Sequence, residues 1–223
     1  MTFNEKIHAF LAARYYVRLT ERFGERGKQA FIHAVQYYAG QRGRRMAQRA
    51  IRDGKPLNHA TYMQYGELIM SEAGDPTRTE CVSLCPDYEL HIKRCLWHDQ
   101  FREMNCLEAG EVYCTYIDEA LCRGFNPALQ FKVRANLNSA PYCVHCVLDV
   151  NYEALPNDPP RTEYKRDFSY QCGHLYWSFA EVCWAIFETD EVATAVMADF
   201  ADCYGDSMTT ELQSWEGTNF NIC

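Results

Sequence analysis

The sequence predicts an α+β fold, and three observations support this prediction. Apolar residues recur at helical spacing within residues 1–70 and again after about residue 164. Between these parts, several segments alternate apolar and polar residues, as half-buried strands do. The resulting order is N-terminal helices, a small antiparallel sheet with an inserted helical pair, and C-terminal helices.

Length and composition indicate one substantial domain. The chain has 223 residues, of which 48% are hydrophobic and 14% aromatic, and a domain of this size can bury a large core. We therefore treat residues 1–223 as a single α+β domain. Its three parts are a helical part at 1–70, the sheet and its inserted helices at 71–152, and helices at 153–223.

Net charge and hydropathy indicate which kinds of molecule the protein binds. The formal net charge is −8, whereas a general nucleic-acid binder needs clustered Lys and Arg. No apolar run approaches the ~18 residues of a membrane span, and we see no signal peptide. We expect a cytoplasmic protein that takes a small-molecule substrate and binds neither nucleic acid nor membrane, with its oligomeric state open. Its twelve cysteines are expected to be reduced and mostly buried.

Residues 1–70 are expected to form three helices. Apolar positions predict one helix over about 4–23 and a second over about 28–52, separated by Gly24 and Gly27. Asn58 is the candidate N-cap of a third, which extends to about Met70. The turn-rich residues 71–80 mark the change to sheet.

The end of the second helix is strongly basic. It reads GQRGRRMAQRAIRDG and contains Arg42, Arg44, Arg45, Arg49 and Arg52. Such a run usually forms a solvated face that pairs with acidic neighbours. A guanidinium also binds a carboxylate through two parallel hydrogen bonds. The alternative expectation is that one of these arginines reaches an anionic substrate.

The middle of the chain carries the predicted strands, over about 87–94, 129–137 and 143–150. The turn at 138–141 makes the last two a hairpin. In the last strand, Cys143 and His145 fall on one face and Cys146 on the other. A proline-rich loop at 154–163 follows, then helices over about 164–188 and 190–204, and a tail from Ser207 that is expected to be irregular.

The inserted helical part reads RCLWHDQFREMNCLEAGEVYCTYIDEALCRGFNP, from Arg94 to Pro127. Its second half has helical periodicity. Asn105 is the candidate N-cap, because an acidic residue follows at capping-box spacing. Gly124 is expected at the C′ position, so that the helix ends near Arg123.

Two pairs of residues in this part are candidates for chemistry. Cys114 and Asp118 are four residues apart and share one face of the helix, a turn apart. Cys95 and His98 lie three apart, ahead of that helix. A Cys–His pair at this spacing is frequently incidental, so spacing alone does not assign it a role.

The spacing of four cysteines raises the question of a metal site. Cys143 and Cys146 have the spacing of a zinc knuckle, which Cys81 and Cys85 could complete. Alternation places Cys143 and Cys146 on opposite faces of a strand, where one metal ion does not reach both. We therefore expect no zinc ion bound by these four cysteines together.

The motifs of the middle region resemble the L-2-amino-thiazoline-4-carboxylic acid hydrolase family. The resemblance rests on RCLWHDQFREM, on EAGEVYCTYIDEALCRGFNP and on the upstream GRRMAQRAIRDGKPL, and it covers about residues 20–150. Its most specific element is Cys-x-x-x-Asp followed by GFNP. It places Cys95, Cys114, Asp118, Asn126 and Cys143 on the family pattern. The turn at 138–142 departs from it, because the resemblance leads us to expect glycine and acidic residues there.

The resemblance implies a hydrolase that opens a cyclic amidine or isothiourea and needs no cofactor. An example is the conversion of 2-amino-thiazoline-4-carboxylate to N-carbamoyl-cysteine. Cys114 would attack as a thiolate, with His98 as the nearest group that could lower its pKa. Cys95 is included as a further catalytic residue.

The same resemblance assigns substrate contacts and leaves alternatives open. Asp118 would hold the cationic amidine, and Asn126 and Cys143 would contact the substrate. In one alternative, Cys95, Cys114 and Cys143 hold a metal ion that activates water. In another, the cysteines are packing residues, and the protein is a small-molecule binding or sensing module without catalysis.

Overall fold

The computed structural model describes residues 2–71 and 78–223. The order of elements confirms the predicted α+β fold, with helices, a small antiparallel sheet that contains two helices, and further helices. The elements are α1 (Glu5–Arg52), α2 (His59–Gln64), β1 (Thr79–Ser83), β2 (Tyr88–Ile92), α3 (Leu96–Glu103), α4 (Leu107–Phe125), β3 (Phe131–Ala135), β4 (Cys143–Val147), α5 (Phe168–Phe187), α6 (Glu191–Tyr204) and α7 (Asp206–Gln213). Most of the predicted turn-rich segment at 71–80 falls on 72–77, outside the described residues.

The first helix is a hairpin of two antiparallel arms, residues 5–23 and 25–52. Gly24 adopts φ 55° and ψ −131°, which interrupts the helix and suits a residue without a Cβ. The two arms then run side by side. A hydrogen bond between Nε2 of His8 and the hydroxyl of Tyr38, 30 residues apart, joins them. A Cβ at Gly27 would lie 2.0 Å from the carbonyl oxygen of Leu19. The predicted pair of helices and the break at Gly24 are confirmed. Gly27 was also expected to break the helix, and this was wrong, because it lies in the second arm in helical conformation.

Helix α4 packs across the second arm of α1 at very short range. A Cβ at Gly43 would lie 2.1 Å from the carbonyl oxygen of Leu121, and one at Gly124 would lie 2.7 Å from that of Gly40. Gly124 is therefore a helical contact residue, and its prediction as the C′ position was wrong. The helix continues to Phe125, and its last residues approach α1 because glycine allows the two backbones to meet.

Three other boundaries also differ from those predicted. Asn105 is not the N-cap of α4: it has φ 54° in the turn after α3, and Cys106 precedes the first helical residue without a side-chain cap. Asn58 caps α2 as predicted, but the helix ends at Gln64. A parallel bridge between Leu68 and Arg166 follows it. The tail after Ser207 is partly helical, because α7 occupies its first part.

The sheet of the described residues has the strand order β1-β2-β4-β3, with every pair antiparallel. β3 and β4 form the predicted hairpin. His145 is central, because it pairs with Leu90 on one side and Val133 on the other. Cys143, the first residue of β4, pairs with Ile92, the last residue of β2. Cys143 and His145 share a face, and this face is turned toward α4.

The C-terminal helices complete the core against α1. Tyr15 donates a hydrogen bond to the carbonyl oxygen of Tyr176 at 2.9 Å, and Arg14 and Arg18 both bind Asp199 of α6. One hydrophobic cluster contains residues from α1, α3, α4, α5, α6 and α7. Within the described ranges, no helix combines the length and apolar character needed to cross a bilayer.

Candidate active site

A cavity of about 200 Å³ lies among α4, the sheet and the second arm of α1. Four of the sequence-predicted site residues line it: Cys95, Cys114, Asp118 and Cys143. The apolar part of its wall is formed by Leu68, Met70, Ile92, Trp97, Tyr113 and Ile117. The structure thus brings together residues from three separate segments of the chain.

Cys114 faces this cavity from the middle of α4. Its Sγ accepts a hydrogen bond from Nδ2 of Asn138 at 3.5 Å. Burial raises the pKa of the thiol well above its ordinary value, and the nearby Cys95, Cys143 and Asp118 add to this effect. The hydrogen bond from Asn138 opposes it. The thiol is therefore protonated near neutral pH.

Asn138 lies between His98 and Cys114. Nδ1 of His98 is 3.2 Å from Oδ1 of Asn138, so this imidazole nitrogen carries the hydrogen. Nδ2 of the same amide also donates to Oδ1 of Asn136 at 3.2 Å. His98 does not line the cavity. It was expected to lower the pKa of Cys114, but the amide of Asn138 lies between its imidazole and the thiol.

Sequence reasoning missed Asn138. The available signal was its position in the turn at 138–142, where the sequence departs from the family pattern. Its role depends on contacts with residues 24 and 40 positions away, Cys114 and His98. Such contacts do not follow from local spacing.

The other two thiols of the cavity are also protonated at rest. Cys95 is the N-cap residue of α3. Burial raises its pKa, although the backbone N–H groups of His98 and Trp97 oppose this. Cys143 accepts a hydrogen bond from the backbone N–H of Leu137 at 3.4 Å, and burial raises its pKa to about 11.

Asp118 and His145 form a second polar group in the cavity wall. Nε2 of His145 is 3.6 Å from Oδ2 of Asp118, which is ion-pair range but too long for a hydrogen bond. Both side chains are partly accessible, at 15% for His145 and 36% for Asp118. His145 was not among the predicted site residues. Its placement on one strand face with Cys143 was the signal that could have identified it.

Asn126 lies outside the cavity lining. Its Nδ2 donates to the carbonyl oxygen of Leu57 at 2.6 Å, and its Oδ1 accepts from the backbone N–H of Ala128 at 2.9 Å. These bonds fix the GFNP turn against the loop after α1. The geometry gives this residue a structural role and does not bring it to the other candidates.

The basic run at the end of α1 is only partly solvated. Arg44 and Arg52 are exposed, but Arg42, Arg45 and Arg49 are buried. The expectation of a solvated face was wrong for these three. Their spacing places them on one side of the helix, where they surround a buried carboxylate.

The donor geometry gives the metal alternative no support. Among residues 2–71 and 78–223, no group of three or more His, Cys, Asp or Glu side chains is placed to hold a metal ion. Cys143 faces the cavity, while Cys146 on the opposite face of β4 lies 3.8 Å from Oδ2 of Asp87.

The comparisons with known proteins give one match. The family model described as L-2-amino-thiazoline-4-carboxylic acid hydrolase matches residues 4–143, which include α1 to β3 and the first residue of β4. No curated protein and no solved structure matches the chain. Because the match spans more than half of the sequence and contains the cysteines and the carboxylate of the cavity, the chain belongs to the L-2-amino-thiazoline-4-carboxylic acid hydrolase family.

Proposed function

We propose that the chain hydrolyses a cyclic isothiourea of the 2-amino-thiazoline-4-carboxylate type and cleaves the ring C–S bond to give N-carbamoyl-cysteine. Family membership supports the reaction class. The observation that carries the proposal is the convergence of Cys95, Cys114, Asp118 and Cys143 on one cavity.

Asp118 is the residue that we assign to the cationic amidine. The reacting carbon of the substrate is bonded to one sulfur and two nitrogens, and its protonated form resembles an amidinium. A carboxylate accepts the N–H groups of such a cation in charge-assisted hydrogen bonds. The apolar walls around Asp118 strengthen this attraction, because they lower the local dielectric constant.

Cys114 is the nucleophile in this proposal. The negative charge of Asp118 is one cause of the raised pKa of Cys114, and a bound amidinium neutralises that charge. The thiol then ionises when substrate is present rather than at rest. Its proton passes to the Asp118–His145 pair, and its sulfur forms a bond to the amidinium carbon.

Ring opening and hydrolysis follow from this adduct. The ring C–S bond breaks, and the departing ring sulfur takes up the proton held by the Asp118–His145 pair. A linear isothiouronium remains attached to the sulfur of Cys114. Water adds to its carbon, and the bond to Cys114 breaks. Water supplies the carbamoyl oxygen; one of its protons returns to Cys114, and the other leaves with the positive charge of the amidinium.

A second candidate function is a non-catalytic binding module for the same class of ligand. The specific observation in its favour is the raised pKa of Cys95, Cys114 and Cys143. Thiols that stay protonated in the presence of ligand do not attack. This candidate keeps the cavity and the amidine-binding role of Asp118, and it removes the covalent step.

Turnover of 2-amino-thiazoline-4-carboxylate by the purified protein, followed by mass spectrometry of N-carbamoyl-cysteine, separates the two functions. The hydrolase forms the product, and Asp118→Asn raises KM by roughly 10- to 100-fold, because a charge-assisted bond is lost. Glu111→Gln, at an exposed position of the same helix, is the matched control and should keep the wild-type KM. Binding of the compound without product formation would instead support the binding module.

A further inference from the structure

A buried cluster beside the cavity contains more positive than negative charge. Arg42, Arg45 and Arg49 surround the carboxylate of Glu67, and the accessible fractions of these side chains are 8%, 0%, 3% and 0%. Three guanidinium groups share one carboxylate. A buried charge without a partner is costly, so buried ions are normally paired or bind a ligand.

Two of the three arginines use the carboxylate fully. Arg45 donates from Nε and Nη2 to the two oxygens of Glu67 at 3.0 and 2.7 Å, and Arg49 donates from Nη1 at 2.7 Å. Each also has a backbone acceptor: the carbonyl oxygen of Phe220 for Arg45 and that of Tyr164 for Arg49.

Arg42 is the one arginine of this cluster that has no hydrogen bond to Glu67. Its Nε is 3.7 Å from Oε2 of Glu67, beyond hydrogen-bond range. This nitrogen is buried and has no hydrogen-bond partner within the described chain. The aromatic ring of Tyr38 lies 5.6 Å from the guanidinium carbon, and Tyr38 is itself held by His8. The position of Arg42 is therefore supported, while its hydrogen-bonding capacity is incompletely used.

Arg42 also forms part of the wall of the cavity that contains Cys114 and Asp118. A buried cation with an unused donor and a carboxylate thus border the same space. The cavity has a second cation, Arg78. Its Nε donates to the carbonyl oxygen of Arg94 at 3.3 Å, and it is more accessible than Arg42. Arg42 is the stronger candidate for an anionic ligand because of its burial and its unpartnered nitrogen.

We propose that Arg42 binds the carboxylate of the ligand, so that the cavity selects small zwitterions in which a carboxylate lies close to an amidinium. The inference rests on the proposed function of the same cavity. A carboxylate at Arg42 would supply the second anion that the arginine cluster lacks, and guanidinium and carboxylate match in a two-bond geometry. Asp118 would hold the cationic end. The substrate class is then defined by both charges.

Binding of two related compounds tests this assignment. They are 2-amino-thiazoline-4-carboxylate and 2-amino-thiazoline, which has the same ring without the carboxylate. Affinities are measured by calorimetry in the Cys114→Ser background, so that turnover does not interfere. The carboxylated compound should bind at least about tenfold more tightly, and Arg42→Gln should remove this preference by weakening that compound alone. Arg42→Lys should retain part of it, because it keeps the charge and loses the planar fork.

Two further variants make the test specific. Arg52→Gln removes the same charge from an exposed position of the same helix and should keep the full preference. Arg78→Gln examines the other cation of the cavity. A preference that persists in Arg42→Gln, or that disappears in Arg78→Gln but not in Arg42→Gln, overturns the assignment. If Arg42→Gln does not fold, an unchanged preference in Arg42→Lys overturns it as well.

The two proposals fail in different ways. Suppose that binding is selective for the carboxylate and depends on Arg42, but the wild-type protein forms no product. That result contradicts the proposed hydrolase activity and leaves this inference intact. Product formation with an unchanged ligand preference in the Arg42 variants contradicts the inference alone. A structural role of Arg42 would lower the melting temperature of Arg42→Gln and leave the ratio of the two affinities unchanged.

Discussion

At the scale of single residues, the protonation state of Cys114 decides what the cavity can do. Burial, Cys95, Cys143 and Asp118 all favour the neutral thiol. The same set of groups makes the cavity responsive to a cation, because a positive charge near Asp118 removes one of these causes and stabilises a thiolate. A resting thiol that is unreactive is consistent with a nucleophile that ionises only in the complex.

Alkylation of Cys114 measures this electrostatic effect directly. With iodoacetamide, Cys114 should react more slowly near pH 8 than the exposed Cys85 of the same molecule, because its pKa is raised. Asp118→Asn should shift the pH midpoint of Cys114 alkylation downward and increase its rate near pH 8. Peptide mass mapping follows both residues, so that Cys85 serves as internal control. An unchanged midpoint in Asp118→Asn would show that Asp118 does not act on this thiol.

At the scale of elements, the crossing of α1 and α4 positions the cavity. The backbones meet at Gly43 and Gly124, and this contact sets where Cys114 and Asp118 lie relative to Arg42. Two helices that approach so closely leave no room for a Cβ at the contact. The close crossing thus brings Arg42 of the arginine cluster to the wall of the cavity.

Gly43→Ala should therefore destabilise the protein by about 3 kcal/mol or more, because the new Cβ would meet the backbone of Leu121, which cannot move aside as a side chain can. Gly66→Ala is the matched control, because its nearest contact would be an ordinary 3.8 Å. Urea unfolding measures both. Equal stability of the two variants would show that the backbones of α1 and α4 do not approach this closely at Gly43.

Local sequence patterns predicted the elements better than their ends. Periodicity and glycine placement predicted the two arms of α1 and the break at Gly24, and alternation predicted the β3–β4 hairpin. The helical conformation of Gly124 was missed, because it depends on α1, some 80 residues away. The burial of the three arginines was missed for a similar reason, since Glu67 lies outside any regular element and its pairing is a tertiary contact.

The candidate site was also predictable only in part, because local patterns show which residues share a helix face but not which distant residues meet in the fold. The shared face of Cys114 and Asp118 follows from helical geometry, and the family pattern added Cys95 and Cys143. His145 and Asn138 required the strand register and the turn conformation, which bring them to Cys114 and Asp118 from more than 20 residues away. Arg42 was one of five arginines in the basic run that were expected as alternatives for an anionic substrate, and its buried, unpartnered Nε distinguishes it from the other four.

At the scale of the whole molecule, buried histidines couple the fold to pH. Burial and the charge of Arg42 lower the pKa of His8 to about 3, and burial lowers that of His59 to about 4. Burial, with Arg45 as a second cause, lowers the pKa of His174 well below its ordinary value. All three are neutral in the folded state at pH 5, whereas unfolded histidine is protonated below about pH 6.5.

The free energy of unfolding should consequently fall as the pH falls from about 6.5 to about 4. The contribution of each histidine is complete above its unfolded pKa, and it is lost at about 1.4 kcal/mol per pH unit as the unfolded state binds a proton that the folded state does not. His8→Gln should reduce the slope by about that amount. His33→Gln, at an exposed position, is the matched control. An unchanged slope in His8→Gln would show that His8 is protonated in the fold.

The turnover of Cys114→Ser tests the central claim most directly. Serine keeps the approximate volume but has no accessible anion near neutral pH, so N-carbamoyl-cysteine formation should fall by about 10³-fold or more while the fold is retained. Cys106→Ser replaces a half-buried cysteine outside the cavity lining and should keep wild-type turnover per folded molecule. Full turnover in a well-folded Cys114→Ser protein would contradict covalent catalysis at this residue.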